Sequence, residues 1–355
     1  MEDAQIVDDA NIALETPPDN VFIPPSINET ALVAGDTYTH FSPVPDSLLS
    51  PSPVPCVLGV DEAGRGPVLG PMVYGVFYLP IPLSDPLLRE THHFDDSKVL
   101  TPAVRSSLME SLCTPTLSQS AGSLNSTCGW AISSLSARDI GAGMMRPATS
   151  AAYNLNAQAL DATVSLIQGV MDRGVNVAEI YVDTVGPPAA YQKKLERFFP
   201  TAKVTVSKKA DSLYPCVSAA SVCAKVTRDA ALEVLYKNVL SEIAKAEGGE
   251  DEEIGWGSGY PSDARCVGWL KRNMHPVFGW GTECRFSWGT VKDMLEAAKS
   301  GSGAVKVDWP VEDDGESHRV TDFFIASTGG GGDSRGKEAD ELGTWFGTPA
   351  DVEAF

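Results

Sequence analysis

The chain has 355 residues with a formal net charge of −20 at pH 7, and 43% of its residues are hydrophobic. That share supplies enough apolar side chains for a sizeable core, and no apolar run approaches the roughly 20 residues that a membrane span needs. The first 30 residues contain neither Lys nor Arg and no apolar segment, so we expect no secretory signal and an intracellular protein. The seven cysteines include no C-x-x-C pair, which argues against a disulfide framework or a zinc ribbon.

The negative charge is concentrated at the two ends of the chain. Residues 1–55 contain nine acidic residues and no Lys or Arg, and residues 301–355 contain twelve acidic residues against four basic ones. Both segments lack hydrophobic periodicity and are rich in Pro, Ser or Gly, so we predict disordered acidic tails around one domain at 56–300. That domain holds 26 acidic and 23 basic residues, so a local basic groove on it is not excluded.

Strand and helix patterns alternate within this domain. Residues 57–60 predict a short strand that ends at Asp61, and residues 72–79 predict its hairpin partner. The spacing of apolar residues predicts longer helices at 150–173 and 215–246. In chain order the remaining predicted elements are strands at 127–135, 179–183 and 203–207, a short helix at 189–199, and short helices and loops over 255–297. This alternation predicts an α/β sheet domain.

Acidic residues stand at or just after three of the predicted strands. Asp61 and Glu62 follow the first strand, Asp183 ends another, and Asp211 comes shortly after a third. Sites in α/β sheets form where strand ends open into loops. Four carboxylates that converge there would repel one another unless hard cations such as Mg²⁺ or Mn²⁺ bind to their oxygens. The alternative is four unrelated surface or capping acids, since turns are rich in Asp.

The string from Asp61 to Pro67 places an arginine between two glycines directly after the paired acids. Gly64 and Gly66 allow the backbone to approach a ligand closely. The spacing fits neither a P-loop nor a dinucleotide-binding loop. An ordinary Gly/Pro hairpin turn is the alternative, although such a turn does not require the acids.

Five segments occur in an order that is typical of a known family. They are DEAGRGPVLGP at 61–71, DDSK at 95–98, YVDTVG at 181–186, KADSLYPCVSAASVCAKVTRD at 209–229 and GSGYPSD at 257–263. Together they resemble type 2 ribonuclease H, the ribonuclease HII family. The segment CRFSW at 284–288 is similar to one in the catalytic subunit of the eukaryotic members. The resemblance covers about 56–295 and leaves out both tails.

The resemblance implies a fold, a reaction and partners. The expected fold is RNase H-like, with a mixed central β-sheet flanked by helices and a helical C-terminal extension. The expected enzyme cleaves the RNA strand of RNA/DNA hybrids and nicks DNA 5′ to single embedded ribonucleotides by a two-metal mechanism with Mg²⁺ or Mn²⁺. The metal ligands implied by the motifs are Asp61, Glu62, Asp183 and Asp211. The resemblance further implies two accessory subunits in a heterotrimer and a nuclear role in DNA replication and repair.

An enzyme that distinguishes RNA from DNA must sense the 2′-hydroxyl. The resemblance assigns contact with the ribose to the backbone of Gly64, Arg65 and Gly66, and recognition of the RNA–DNA junction to Tyr260. It also favours a phosphate contact for Lys98.

Polar residues recur at helical spacing within the helix predicted at 215–246. Ser218, Ser221, Lys225 and Arg228 are separated by three, four and three positions, which places them on one face. Such a face can contact phosphates, and the alternative is a solvated helix surface. The four tryptophans of the C-terminal part are expected in the core; they are Trp256, Trp269, Trp280 and Trp288.

The C-terminal tail carries a short apolar cluster. Val320 stands three positions before Phe323 and Phe324, which resembles the sliding-clamp binding motif of replication and repair proteins. Ser317 occupies the place of the motif's usual Gln. The alternatives are a chance match in a tail and docking of the two Phe rings on the enzyme's own subunits.

Two other functions compete with a metal-dependent endoribonuclease. A different RNase H-like nuclease, such as a resolvase or integrase, would also use clustered acids, but would not need both the Gly64–Arg65–Gly66 string and the segment around Tyr260. A non-catalytic subunit that keeps the fold would be favoured by loss of one acid, and all four acids are present.

Overall fold

A mixed sheet lies at the centre of the computed structural model, which describes residues 22–49, 52–94, 100–115, 123–145, 153–184, 186–247 and 255–296. Within these residues the sheet has six strands: β1 Tyr38–Phe41, β2 Cys56–Ala63, β3 Met72–Pro80, β4 Gly129–Leu135, β5 Val177–Asp183 and β6 Lys203–Ser207. They lie in the order β1-β4-β3-β2-β5-β6. The first four of these are antiparallel neighbours, whereas β2, β5 and β6 run parallel. The predicted mixed sheet is confirmed.

Helices cover both faces of the sheet. The described helices are α1 Glu29–Ala34, α2 Asp46–Leu49, α3 Pro102–Cys113, α4 Leu124–Thr127, α5 Ala137–Met144, α6 Leu155–Met171, α7 Pro188–Phe198, α8 Ala210–Leu213, α9 Pro215–Glu247, α10 Ala264–Arg272 and α11 Gly289–Glu296. A 3₁₀ turn and a π-helix over Ser84–Thr91 follow β3. Apolar residues of α6 and α7 pack on one face, and those of α3 and α9 pack on the other. None of the described helices has the length and apolarity of a membrane span.

Strand β2 is buried on both faces and sends alternate side chains to each. Leu58 and Val60 join the cluster that contains α6, while Val57 and Ala63 join the cluster that contains α9. A side chain at Gly59 would collide with the backbone at the start of α9. The glycine therefore lets α9 lie directly against the strand.

A smaller third cluster holds the C-terminal part of the domain. It gathers Val68 and Leu69 with residues from α1, α10, α11 and the second half of α9. Leu69 pairs with Cys284, which brings the chain after α10 alongside the segment that follows β2. Trp256, Trp269 and Trp280 are buried as predicted, and Trp288 is half-buried.

The N-terminal segment differs from the prediction. We expected residues 1–55 to be disordered, and this is wrong for the part that the structure describes from residue 22. Strand β1 pairs with β4 at the edge of the sheet. Beyond it, the Ser42 amide donates to Trp130 O, and the Ser42 hydroxyl accepts from the Trp130 amide. Leu32 and Leu48 are buried. The segment has too few apolar residues to show a period, but each of these two packs its side chain against a distant element.

Two further boundaries concern the predicted sites. Strand β2 does not end at Asp61, because Glu62 and Ala63 continue the pairing with β3. The acids therefore lie within the last residues of the strand.

The tail at 301–355 with its candidate clamp residues lies outside the described residues, as does Lys98.

Candidate active site

The register of two parallel strands brings Asp61 and Asp183 to the same level of the sheet. Val60 of β2 is paired with Val182 of β5, so the next residue of each strand is an aspartate at the carboxyl end. Residues paired in a parallel ladder share a face. Asp61 lies on the face that α9 covers, where it accepts a hydrogen bond from the Ser221 hydroxyl. Sequence reasoning placed these acids together, and the register gives the reason.

The environment of Asp61 and Glu62 disfavours their negative charge. Burial, followed by repulsion from Asp183, raises the pKa of Asp61 to about 8, although Ser221 and Lys225 act in the opposite direction. Burial also raises the pKa of Glu62; the Arg65 guanidinium opposes that rise, and Asp183 adds to it. Ionisation of either carboxyl group costs free energy for the same two reasons: the carboxylate is desolvated, and it lies near another carboxylate.

Asp183 connects the end of β5 to α8, the short helix that carries the predicted ligand Asp211. Its Oδ1 accepts a hydrogen bond of 2.7 Å from the amide of Ala210, the first residue of α8. Asp211 is the next residue of that short helix and is buried. The preceding Lys209 has a left-handed backbone, with φ +55°. This unfavourable turn directs α8, and with it Asp211, back towards the end of β5.

The four predicted ligands offer only oxygen atoms, which hard divalent cations prefer. A cation would neutralise the mutual repulsion of Asp61, Glu62 and Asp183. Among the residues that the structure describes, however, no three Asp, Glu, His or Cys side chains gather into a ready-made metal cage. The four carboxylates thus fit a Mg²⁺- or Mn²⁺-type ion by their oxygen donors and their negative charge, and not by a preformed cage.

The loop Gly64–Arg65–Gly66 connects the carboxylates to Tyr260. Arg65 Nη1 lies 3.4 Å from Glu62 Oε1, and its Nη2 donates to Asn156 Oδ1 at 2.5 Å. Gly64 has φ +81°, and a side chain there would collide with Arg228. A Cβ at Gly66 would lie 3.0 Å from the Tyr260 ring. The structure thus brings the predicted ribose-contacting loop and the predicted junction residue into direct contact.

The polar face predicted on α9 is not a solvated surface. Ser218, Ser221 and Arg228 are buried, and Lys225 is half-buried. The Arg228 guanidinium lies 6.0 Å from the centre of the Tyr260 ring, and its Nη2 donates to Ser258 O at 3.2 Å. Arg228 therefore supports the loop and Tyr260 from beneath, while a phosphate contact for this face stays a prediction.

Two side chains of the CRFSW segment contact the loop, and sequence reasoning gave them no role. Arg285 and Trp288 hydrogen-bond to loop carbonyl oxygens. Asn156, which holds Arg65, was also missed. The available signals were slight: an Arg and a Trp three positions apart near the end of the domain, and an Asn two positions after the N-cap Asn154.

The chain is similar to known proteins over most of its length. The family model described as ribonuclease HII matches residues 58–291. A protein of Neurospora crassa, named as one subunit of ribonuclease H2, is 60% identical over 334 residues, covering 94% of this chain and 97% of its own. The human protein with the same name is 41% identical over 271 residues, covering 76% and 82%. The crystal structure of ribonuclease H2 from Pyrococcus horikoshii aligns with a TM-score of 0.47 and 27% identity, covering 67% of this chain and 96% of that one.

The two loop glycines should differ in their effect on stability. Gly64→Ala places a Cβ at positive φ and against Arg228, so we expect the free energy of unfolding to fall by about 2–3 kcal/mol. Gly66→Ala meets only the edge of a side-chain ring, so we expect a loss below about 1 kcal/mol. Urea denaturation of both variants measures the difference. Equal losses would show that the loop relaxes around an added side chain at either position.

Proposed function

Because the chain belongs to the ribonuclease HII family, it is a ribonuclease H that cleaves the RNA strand of RNA/DNA hybrids, and we propose that it also nicks duplex DNA 5′ to single embedded ribonucleotides. One observation carries the proposal. The acidic strand end and the glycine loop are joined through Arg65, which contacts Glu62 at one end of the loop while Gly66 contacts Tyr260 at the other. The groups proposed to cleave and those proposed to read the substrate therefore share one short segment of the chain.

The carboxylates are proposed to hold two divalent cations. Asp61, Glu62, Asp183 and Asp211 would be the ligands, since the first three lie at the carboxyl ends of β2 and β5, the fourth lies in the helix whose first amide binds Asp183, and ribonucleases H depend on metal ions. Such ions, when bound, activate a water molecule and neutralise the charge that develops on the leaving oxygen. Lys225 stabilises the charged form of Asp61, and Ala210 fixes the orientation of Asp183 through its amide. The chain itself therefore supplies charge, orientation and burial.

The loop and Tyr260 are proposed to read the ribose. Backbone groups of Gly64, Arg65 and Gly66 can hydrogen-bond a 2′-hydroxyl that DNA lacks. The Tyr260 ring lies against Gly66, where it can stack on a sugar. Phosphate contacts from Lys98 and the half-buried Lys225 would position the duplex without reading it, whereas the buried Ser221 and Arg228 support the site from beneath.

The competing functions explain less of the site. A resolvase or integrase would use the acids but has no need of a glycine loop packed against a tyrosine. A non-catalytic subunit would not need Asp183 to be oriented by the amide of α8 at 2.7 Å. The activity of the variants below tests both alternatives.

The relatives are named as one subunit of ribonuclease H2, which implies an enzyme of several chains. We propose that this chain is the catalytic member of a heterotrimer with two accessory subunits. Removal of ribonucleotides from replicated DNA would place that complex in the nucleus. Co-purification of two further chains in equal amounts would support the arrangement.

Asp183→Asn should abolish cleavage and leave the fold intact. The amide oxygen of Asn can still accept from Ala210, and loss of the charge relieves repulsion with Asp61 and Glu62, so we expect an unfolding midpoint no lower than that of the wild type. Loss of the ligand charge should lower kcat on an RNA/DNA hybrid by at least about 100-fold. Asp172→Asn, at an exposed acid after α6, is the matched control. Near-normal turnover by folded Asp183→Asn would count against the carboxylate assignment.

Tyr260 should matter more for nicking than for binding. Tyr260→Ala removes the ring that packs on Gly66, so we expect kcat on a duplex with one ribonucleotide to fall about 10- to 100-fold. Affinity for the duplex should stay within about threefold, because phosphate contacts dominate it. Tyr260→Phe separates loss of the hydroxyl from loss of the ring. Parallel losses of affinity and rate in Tyr260→Ala would indicate a general structural role.

We also propose that the tail binds a sliding clamp through Val320, Phe323 and Phe324. Paired aromatic residues in a polar tail are typical of a short docking motif. A peptide covering 315–328 should bind the clamp at micromolar concentrations by calorimetry, and Phe323→Ala with Phe324→Ala should abolish that binding while nicking in solution is unchanged. Absence of binding at several hundred micromolar, or failure of the double variant to assemble with its partner chains, would refute this role.

A further inference from the structure

Two side chains from the C-terminal segment hold the underside of the glycine loop. Arg285 donates from Nη2 to Gly64 O at 2.7 Å and from Nη1 to Arg65 O at 3.2 Å. Trp288 donates from Nε1 to Gly66 O at 2.9 Å. Three successive loop carbonyls are therefore bound by one pair of side chains, which we call the loop clamp.

The loop clamp contains a buried guanidinium, that of Arg285. Arg285 is fully buried, and its guanidinium lies 4.8 Å from the centre of the Trp288 ring. Among the described residues no acidic group lies within ion-pair distance of it, and its Nε donates to Gly70 O at 3.0 Å. Burial and the nearby Arg228 lower its pKa to about 9. Since a buried cation is costly without partners, the guanidinium and the loop carbonyls depend on each other.

Binding of the carbonyls determines where the loop amides point. In a trans peptide the N–H is antiparallel to the C=O of the same peptide unit. When the carbonyls of Gly64 and Arg65 point to the loop clamp, the amides of Arg65 and Gly66 point away from it. In the described part of the chain neither amide donates to another protein group, and Gly66 is exposed. Pro67 has no amide hydrogen, so the loop presents two donors on its open side.

We propose that Arg285 and Trp288 are positioning residues for ribose recognition, and that they hold the Arg65 and Gly66 amides in the orientation that a 2′-hydroxyl requires. This inference rests on the proposed ribose-reading role of the loop. The loop clamp touches no reacting atom and acts through the backbone. Its removal should therefore lower the rate with which bound substrate reacts, and leave duplex affinity nearly unchanged.

Trp288→Phe is the sharpest test because it keeps an aromatic ring against Arg285 and removes one hydrogen-bond donor. The chain offers a matched control in the same apolar cluster: Trp280 Nε1 donates to Leu270 O, also at 2.9 Å, and does not contact the loop. Both variants lose the same type of bond to a backbone carbonyl. Because the Trp280 bond is buried and the Trp288 bond is exposed, the control should lose at least as much stability, whereas only Trp288→Phe releases the loop.

The measurements are kcat and KM on a duplex with one ribonucleotide, made on the full-length chain purified with the proteins that accompany it. We expect Trp288→Phe to lower kcat about five- to tenfold, which is the worth of one hydrogen bond, with KM within about twofold. Trp280→Phe should stay within about twofold in both. Equal kcat losses in both variants, or a loss in Trp288→Phe that falls on KM instead of kcat, would overturn the proposal.

The same variants on an RNA/DNA hybrid separate this inference from the proposed nicking activity. If the wild-type chain cleaves the hybrid but does not nick the single-ribonucleotide duplex, the nicking proposal fails. The loop clamp is then judged on the hybrid, where the expected loss in Trp288→Phe is the same. Arg285→Lys, which keeps the charge but not the planar fork, should lower kcat on the hybrid further than Trp288→Phe does. A smaller loss would contradict the assignment of two loop carbonyls to Arg285.

Discussion

The pleat of strand β2 constrains the whole site, because it places two adjacent carboxylates on opposite faces of the sheet. Asp61 faces α9 and Glu62 faces the side of Tyr74 and Arg65. A site that uses both cannot lie on either face and must lie at the open end of the strand. Parallel pairing with β5 supplies Asp183 at that same end. The sheet end, not a cleft between lobes, is therefore what the surrounding loops and helices have to support.

Buried positive charge supports the glycine loop that adjoins this acidic end. The net charge of the chain is −20, yet the guanidinium groups of Arg228 and Arg285 are both buried beneath the glycine loop. Burial and the electrostatic repulsion between the two groups lower the pKa of Arg285. Keeping both groups charged at these positions therefore costs free energy. Carbonyl dipoles of the loop offset that cost for Arg285, so the loop conformation and the burial of this cation depend on each other.

Local patterns predicted the elements that bury continuous apolar faces. The bounds of β6, the start of α9 and the position of Asp183 at the end of β5 agree with the prediction, whereas β2 continues two residues past its predicted end at Asp61. The failures involve long-range partners. Whether the polar face of α9 is solvated depends on the loop that packs on it, and the role of Arg285 depends on the Arg65 carbonyl, 220 residues earlier in the chain. A backbone carbonyl leaves no mark in the sequence, so such a contact can be seen only in the fold.

Strand β1 is four residues long and covers the outer edge of β4. A chain trimmed at residue 56, where the composition changes, would leave a row of bare β4 amides and carbonyls open to edge-to-edge aggregation. During synthesis β1 is made before the strand that it covers, because Ser42 leaves the ribosome 88 residues before its partner Trp130. The segment is then exposed without its partner, and its polar, proline-rich composition disfavours edge-to-edge pairing until β4 emerges.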